Sequence, residues 1–415
     1  MQANWVKGGV CAPKGFVANG ILAGIKKNSN KEDLALVCSD TICSASGVFT
    51  QNKVVAEPVK LTRARCKSGC AQAIIINSGN ANACTGAQGA TNAQKMAVAT
   101  SKALNKTGVV KSLITQKDIL VASTGVIGQQ LPIQKIENSV LDLAKGLSRD
   151  GHKKARTAIM TTDTIYKECA VEFEIDGKKI RIGTMAKGSG MINPNMGTMI
   201  AVLTTDCCIS AKMLKKALEE SVVGTYNCVS VDGDTSTNDS MLVLANGQAK
   251  NAEIRKKGAG YNSFLHALNI INTKMARSIA ADGEGAKHLI ECIVSGAKDV
   301  KTARILAKAV ISSSLVKAAF FGKDANWGRI LCALGYSGGS FIPEKTSLSF
   351  SSTRGCEKVF EHGAPLEFDE KKAAIILGEK EIQILVELEE GNASGTAWGC
   401  DLTYEYVKIN GDYRT

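Results

Sequence analysis

The chain has 415 residues, 44% of them apolar and 22% charged, and at roughly 150 residues per domain it has room for two or three well-buried cores. No apolar run reaches the roughly 18 residues that span a bilayer, so no membrane partner is expected. The formal charge of +12 raises nucleic acid as a partner, but Lys145, Lys215, Lys256 and Lys371 are dispersed, aromatics make up 5%, and no RNA- or DNA-binding motif occurs, so a basic surface suited to small anionic substrates is expected instead.

The chain opens on Met1-Gln2-Ala3-Asn4-Trp5-Val6-Lys7, which has neither the apolar centre of a signal peptide nor the Arg and Ser of a mitochondrial presequence; a cytoplasmic protein is expected. Ala73-Ile74-Ile75-Ile76 reads as a buried strand ending at Asn77, followed by a loop through Ala83 and a helix over Ala90–Leu104. Apolar spacing predicts a helix over Ile136–Leu147. Cys169–Ile175 and Lys179–Thr184 alternate around Asp176-Gly177, a hairpin signal. Met199–Leu203 reads as a second buried strand, Met213–Val223 and Val300–Leu315 as amphipathic helices, and His288–Val294 as a strand. The mixture implies an α/β or α+β fold with sheets covered by helices.

Fourteen cysteines are scattered with no C-x-x-C, so reduced thiols are expected rather than a disulfide framework. Cys66 and Cys70 lack a second ligand pair, and His152, His266, His288 and His362 show neither ligand spacing nor a triad pattern with Ser or Cys. Asp232–Asp239 begins like a calcium loop, but Thr237 stands where Gly is required and no Glu closes it; it reads as an active-site or packing loop. No metal is expected.

Chemistry concentrates where Met185–Asn195, rich in Gly, Asn and Pro, runs through Met196-Gly197-Thr198 into the apolar strand. By spacing alone this is also an ordinary glycine-rich turn entering a core strand. The junction nevertheless suits self-cleavage. A threonine hydroxyl must reach its own preceding carbonyl, and a glycine before it permits the bent backbone. Cleavage would also activate the threonine: an α-amino group with a pKa of about 7.7–8.0 can take the hydroxyl proton within the same residue.

The stretch is similar to the signature of ornithine acetyltransferase, also called glutamate N-acetyltransferase, of the cyclic arginine pathway. Matching blocks recur in order along the chain, among them Asn77-Ser78-Gly79-Asn80-Ala81-Asn82-Ala83, Ser123-Thr124-Gly125-Val126, Met160-Thr161-Thr162-Asp163-Thr164, Asp282-Gly283-Glu284-Gly285 and Asn410-Gly411-Asp412-Tyr413-Arg414-Thr415. One departure is Gly197, where the family usually has Ala.

The resemblance implies a DmpA/ornithine acetyltransferase-like fold, N-terminal-nucleophile-like, with stacked sheets between helix layers. It implies cleavage between Gly197 and Thr198 into an α chain, 1–197, and a β chain, 198–415, assembling as an α2β2 heterotetramer. Thr198 is then the nucleophile that moves acetyl from N-acetylornithine to glutamate without a cofactor, with acetyl-CoA open as a second donor. Thr124 and Gly125 match the family's oxyanion positions, and Thr161, Lys187, Thr198, Glu284, Asn410 and Thr415 its substrate-binding positions. Taken singly, Ser123-Thr124-Gly125 is an ordinary turn, and Lys187 and Glu284 are ordinary solvated residues. A hydrolase of the same fold and a non-enzymatic basic binding protein are the alternatives. Asn326-Trp327-Gly328-Arg329 reads as a structural corner.

Overall fold

The computed structural model describes residues 3–27, 29–193 and 199–412. They form two compact units, the first within 1–188, 195–223 and 235–275, the second within 189–194, 224–234 and 276–415. Each is a mixed α/β layer structure, as the alternation of elements predicts.

The first unit is organised by a nine-stranded sheet. Asn4–Val6, Lys167–Ile175, Lys178–Lys187, Ile200–Thr205, Ser240–Ala245, Leu34–Phe49, Cys70–Asn80 and Ile119–Val126 follow one another across it, and Phe16–Ile21 pairs with Leu34–Phe49. The run Ala73-Ile74-Ile75-Ile76 is continuously apolar because successive side chains point to opposite faces and both faces are covered. Ile74 and Ile76 join one core with Val37, Leu120, Val202, Leu242 and Ala155 of the helix His152–Ala158. Ala73 and Ile75 join another with Leu36, Val121, Met96, Leu104, Ile136 and Leu143. The last four belong to Gly86–Thr107 and Ile133–Lys145, the helices predicted from their periodicity.

The Asp176-Gly177 hairpin is present, with φ of 49° and 70° at the two turn residues joining Lys167–Ile175 to Lys178–Lys187. The predicted loop at Asn77–Ala83 begins only at Ala81, four residues later than expected. Asn77 to Asn80 stay in the strand because Ser123–Val126 runs parallel beside them, with a register irregularity at Gly79 and Asn80.

Ile200–Thr205 lies antiparallel to Lys178–Lys187 and parallel to Ser240–Ala245, which pairs with Leu34–Phe49. Two strands that follow Thr198 in sequence are thus hydrogen-bonded between strands that precede it.

The second unit carries a seven-stranded sheet in the order Ala364–Pro365, Gly355–Glu361, Ser347–Ser352, Glu381–Glu387, Leu289–Ala297, Ala393–Cys400, Val229–Ser230. The helix Val300–Ser312 packs on Leu289–Ala297 and Ala393–Cys400. The expected helix through Leu315 is instead two: Ser313 leaves helical geometry at ψ 117° and its side chain caps Ser314–Phe321 by accepting from the Val316 N–H. Asn326 caps Trp327–Gly335 in the same way, through the Arg329 N–H at 3.3 Å, so the Asn326–Arg329 block is a helix start. Among the described residues, no helix is long and apolar enough to cross a membrane, and no group of three or more His, Cys, Asp or Glu is arranged to hold a metal.

Candidate active site

Within the first unit, Thr124 and Gly125 lie in the last residues of the strand Ile119–Val126, paired with Ser78 and Gly79, and not in the turn that Ser123-Thr124-Gly125 suggests by itself. Gly125 has φ +131°, and a Cβ there would run into the backbone of Gly79 and Asn80, so this strand end requires glycine. A buried amide network holds it. Asn238 Nδ2 donates to the Ser123 carbonyl at 2.8 Å and to the Ala81 carbonyl at 2.6 Å. The Thr237 hydroxyl donates to Asn238 Oδ1 at 2.6 Å, and the Ser123 hydroxyl donates to Asn77 Oδ1, also at 2.6 Å. Thr237, the residue that rules out calcium, therefore has a packing role.

Lys187 ends the strand Lys178–Lys187, and its ammonium donates to Thr124 Oγ1 at 3.4 Å; both side chains are buried. With its oxygen accepting from a cation, the Thr124 hydroxyl keeps its proton to donate elsewhere.

Asp163 is the acidic counterpart. It accepts from Lys167 Nζ at 2.7 Å, from the Gly188 N–H at 2.7 Å and from the Thr161 N–H at 3.1 Å. The Lys167 and Asp163 side chains have no exposed surface. Burial works against the Asp163 carboxylate, but the charges of Lys187 and Lys167 and the Gly188 N–H outweigh it and hold its pKa at about 2. Asp163 thereby anchors the backbone of Thr161 and the residue after Lys187. In the sequence its local signal is the four-residue spacing to Lys167.

Asp239 is a second buried acid that sequence reasoning did not single out. Its carboxyl is pushed well above the usual carboxylate range by burial, against the pull of Ser236, Lys187 and the Met199 N–H.

Within the second unit, Glu284 is 6% exposed. Its carboxylate accepts from Asn410 Nδ2 at 2.7 Å and stands where any side chain at Gly190 would be. Its N–H donates to the Ser189 carbonyl at 3.0 Å, and the Ser189 hydroxyl to the Asp282 carbonyl at 2.7 Å. Asn410 is held by the helix Tyr404–Gly411, which Thr403 caps while donating to the Gly285 carbonyl at 2.8 Å. Asp232 accepts from the Met191 and Ile192 N–H groups at 2.6 and 2.9 Å, so the acidic part of the Asp232–Asp239 loop holds backbone.

The sequence-predicted residues thus fall into two sets. Thr124, Gly125, Thr161 and Lys187 belong to the first unit, with Thr124 and Lys187 in contact. Glu284 and Asn410 belong to the second and are in contact. Gly197, Thr198 and Thr415 lie outside the described residues.

Among known proteins, the arginine biosynthesis bifunctional protein ArgJ of Symbiobacterium thermophilum is 50% identical over 412 residues, 99% of this chain and 100% of its own length. The protein of the same name from Caldanaerobacter subterraneus subsp. tengcongensis is 49% identical over 403 residues, 97% of this chain and 98% of its own. A solved structure of ornithine acetyltransferase complexed with ornithine, from Mycobacterium tuberculosis, is 38% identical, with a TM-score of 0.43, and covers 47% of this chain and 99% of its own. The ArgJ family pattern matches residues 17–415, nearly the whole sequence, and with relatives of this identity and coverage the chain belongs to the ArgJ family.

Proposed function

We propose that this chain cleaves itself between Gly197 and Thr198 and transfers an acetyl group from N2-acetyl-L-ornithine to L-glutamate through an ester on Thr198. The family makes it an acyltransferase of arginine biosynthesis. The contact from Lys187 Nζ to Thr124 Oγ1, beside a strand position that only glycine fits, supports the residue roles most directly. In each half-reaction the attacked carbonyl becomes a tetrahedral oxyanion, and a polarised hydroxyl with an adjacent backbone N–H is the donor set that stabilises it.

The steps follow from that chemistry. The Thr198 hydroxyl attacks the acetyl carbonyl while its α-amine takes the proton; the C–N bond breaks and ornithine leaves with that proton. Glutamate then attacks the ester through its neutral amine, and Thr198 regains its hydroxyl. Lys187 is assigned the α-carboxylate common to both substrates, with Thr161 beside it. Glu284, steadied by Asn410, is assigned the ornithine ammonium. Thr415 is assigned to substrate binding on family grounds alone. An acetyl thioester meets the same nucleophile, so acetyl-CoA is assigned as the second donor. The two chains produced by cleavage are proposed to assemble as α2β2.

Two results follow. Incubation with N-acetylornithine alone releases ornithine and adds one acetyl group to the chain that starts at Thr198, read by intact mass after a rapid acid quench. Intersecting rather than parallel initial-rate plots would reject the covalent route. Free acetate formed as fast without glutamate as N-acetylglutamate is with it would point to a hydrolase. Thr124→Ala lowers kcat by about 10²–10³ with little change in binding, the usual cost of one oxyanion donor. A change in KM alone would make Thr124 a ground-state contact.

A further inference from the structure

We infer that, given the oxyanion roles proposed for Thr124 and Gly125, Asn238 is a positioning residue for acyl transfer that fixes the strand end carrying both donors. Ile119–Val126 is the terminal strand of its sheet, so the carbonyls along its outer edge have no neighbouring strand to bond. Side chains take them instead. Arg65 donates to the Ile119 carbonyl, the Thr62 hydroxyl to the Val121 carbonyl at 2.7 Å, and Asn238 Nδ2 to the Ser123 carbonyl at 2.8 Å. Backbone groups alternate in direction along a strand, so the next group on that edge is the Gly125 N–H. Asn238 thus holds the last anchored point before the two donors.

The amide is buried and fully used. One Nδ2 bond goes to Ser123, the other to the Ala81 carbonyl at 2.6 Å, and Oδ1 accepts from the Thr237 hydroxyl. A reversed amide would set Oδ1 against two carbonyl oxygens, so the network permits one orientation. The Ala81 N–H in turn donates to the Val126 carbonyl at 3.0 Å, which ties Asn238 to the strand on both sides of Thr124 and Gly125. The loop that carries Asn238 is itself pinned. The Thr50 N–H donates to the Asp239 carbonyl at 3.0 Å, the Thr50 hydroxyl to the Ser236 carbonyl at 2.7 Å, and the Ala56 N–H to the Thr237 carbonyl at 3.0 Å. Thr124 and Gly125 belong to the proposed α chain and Asn238 to the proposed β chain, so one fragment sets the donors of the other.

The test is a double-mutant cycle on purified full-length enzyme, with rates normalised to the fraction of chains cut and folding checked by thermal melts. Asn238→Ala is expected to lower kcat by about 10–10²-fold with KM within about twofold, the cost of donors displaced by a fraction of an ångström. In a Thr124→Ala background the same change is expected to cost at least about threefold less, because one of the donors it places is already gone. Losses that simply multiply would overturn the inference, as would a folded Asn238→Ala enzyme at the wild-type kcat or one changed in KM alone. A folded Asn238→Ala chain that is never cut would tie Asn238 to cleavage instead, and would overturn it too. If Asn238→Ala does not fold, Thr237→Val decides: it is nearly isosteric and keeps Asn238 but frees its amide to turn. It is expected to lower kcat about threefold or more, with Thr237→Ser recovering most of the loss; equal rates for the two would reject the role. Thr124→Ala at the wild-type kcat would sink the oxyanion reading itself.

Discussion

Thr198→Ala stays a single chain and loses transferase activity. An N-to-O acyl shift needs a hydroxyl at that position, and alanine has none. Nor can a free α-amine then be generated there to serve as base for acyl transfer. Thr198→Ser retains a hydroxyl and is expected to cleave. N-terminal sequencing of active wild-type enzyme checks the site: finding only Met1 or Gln2 would end the proposal.

Cleaved wild type is also expected to remain one particle until denatured. Ile200–Thr205 and Ser240–Ala245 are bonded between Lys178–Lys187 and Leu34–Phe49, so cutting the chain between them leaves the ladders intact. Size exclusion in buffer followed by denaturing electrophoresis reads both states.

Asp163→Asn destabilises the fold by about 3–5 kcal/mol, because it removes the anion from Lys167 and Lys187 while both remain buried. An amide can still accept from the Gly188 N–H, so the loss is one of charge rather than shape. The midpoint of urea unfolding reads it, and an unchanged midpoint would refute the electrostatic role.

The same group gives an acid dependence. Its folded-state pKa, about 2, lies below the ordinary value of 3.8. The unfolded chain therefore binds the proton first as pH falls. The stabilisation is fully present above the unfolded pKa and is lost between that value and about pH 2. It amounts to about 2 kcal/mol for a shift of this size. In Asp163→Asn this component of the acid transition disappears.

Much of this was legible in the sequence. The run Ala73–Ile76 and the periodicity of Ile136–Leu147 announce a strand buried on both faces and a helix buried on one, because burial alone sets those patterns. Asp176-Gly177 announces its hairpin because both turn residues need positive φ. Thr124, Lys187, Glu284 and Asn410 were found through resemblance, since an isolated lysine or glutamate has no local signature of function. What tertiary structure decided is where charge can exist. Asp163 and Asp239 are the same residue type, yet one receives two lysines and backbone N–H groups and stays ionised, while the other is enclosed with an empty oxygen and is driven towards neutrality. Local sequence does not encode that difference, because a carboxyl's state depends on how much water is excluded and on which distant strands bring a cation to it. The extension of Cys70–Asn80 past Asn77 and the helix break at Ser313 have the same origin: in each, a partner or a cap outside the local pattern satisfies backbone groups that propensity alone leaves undecided.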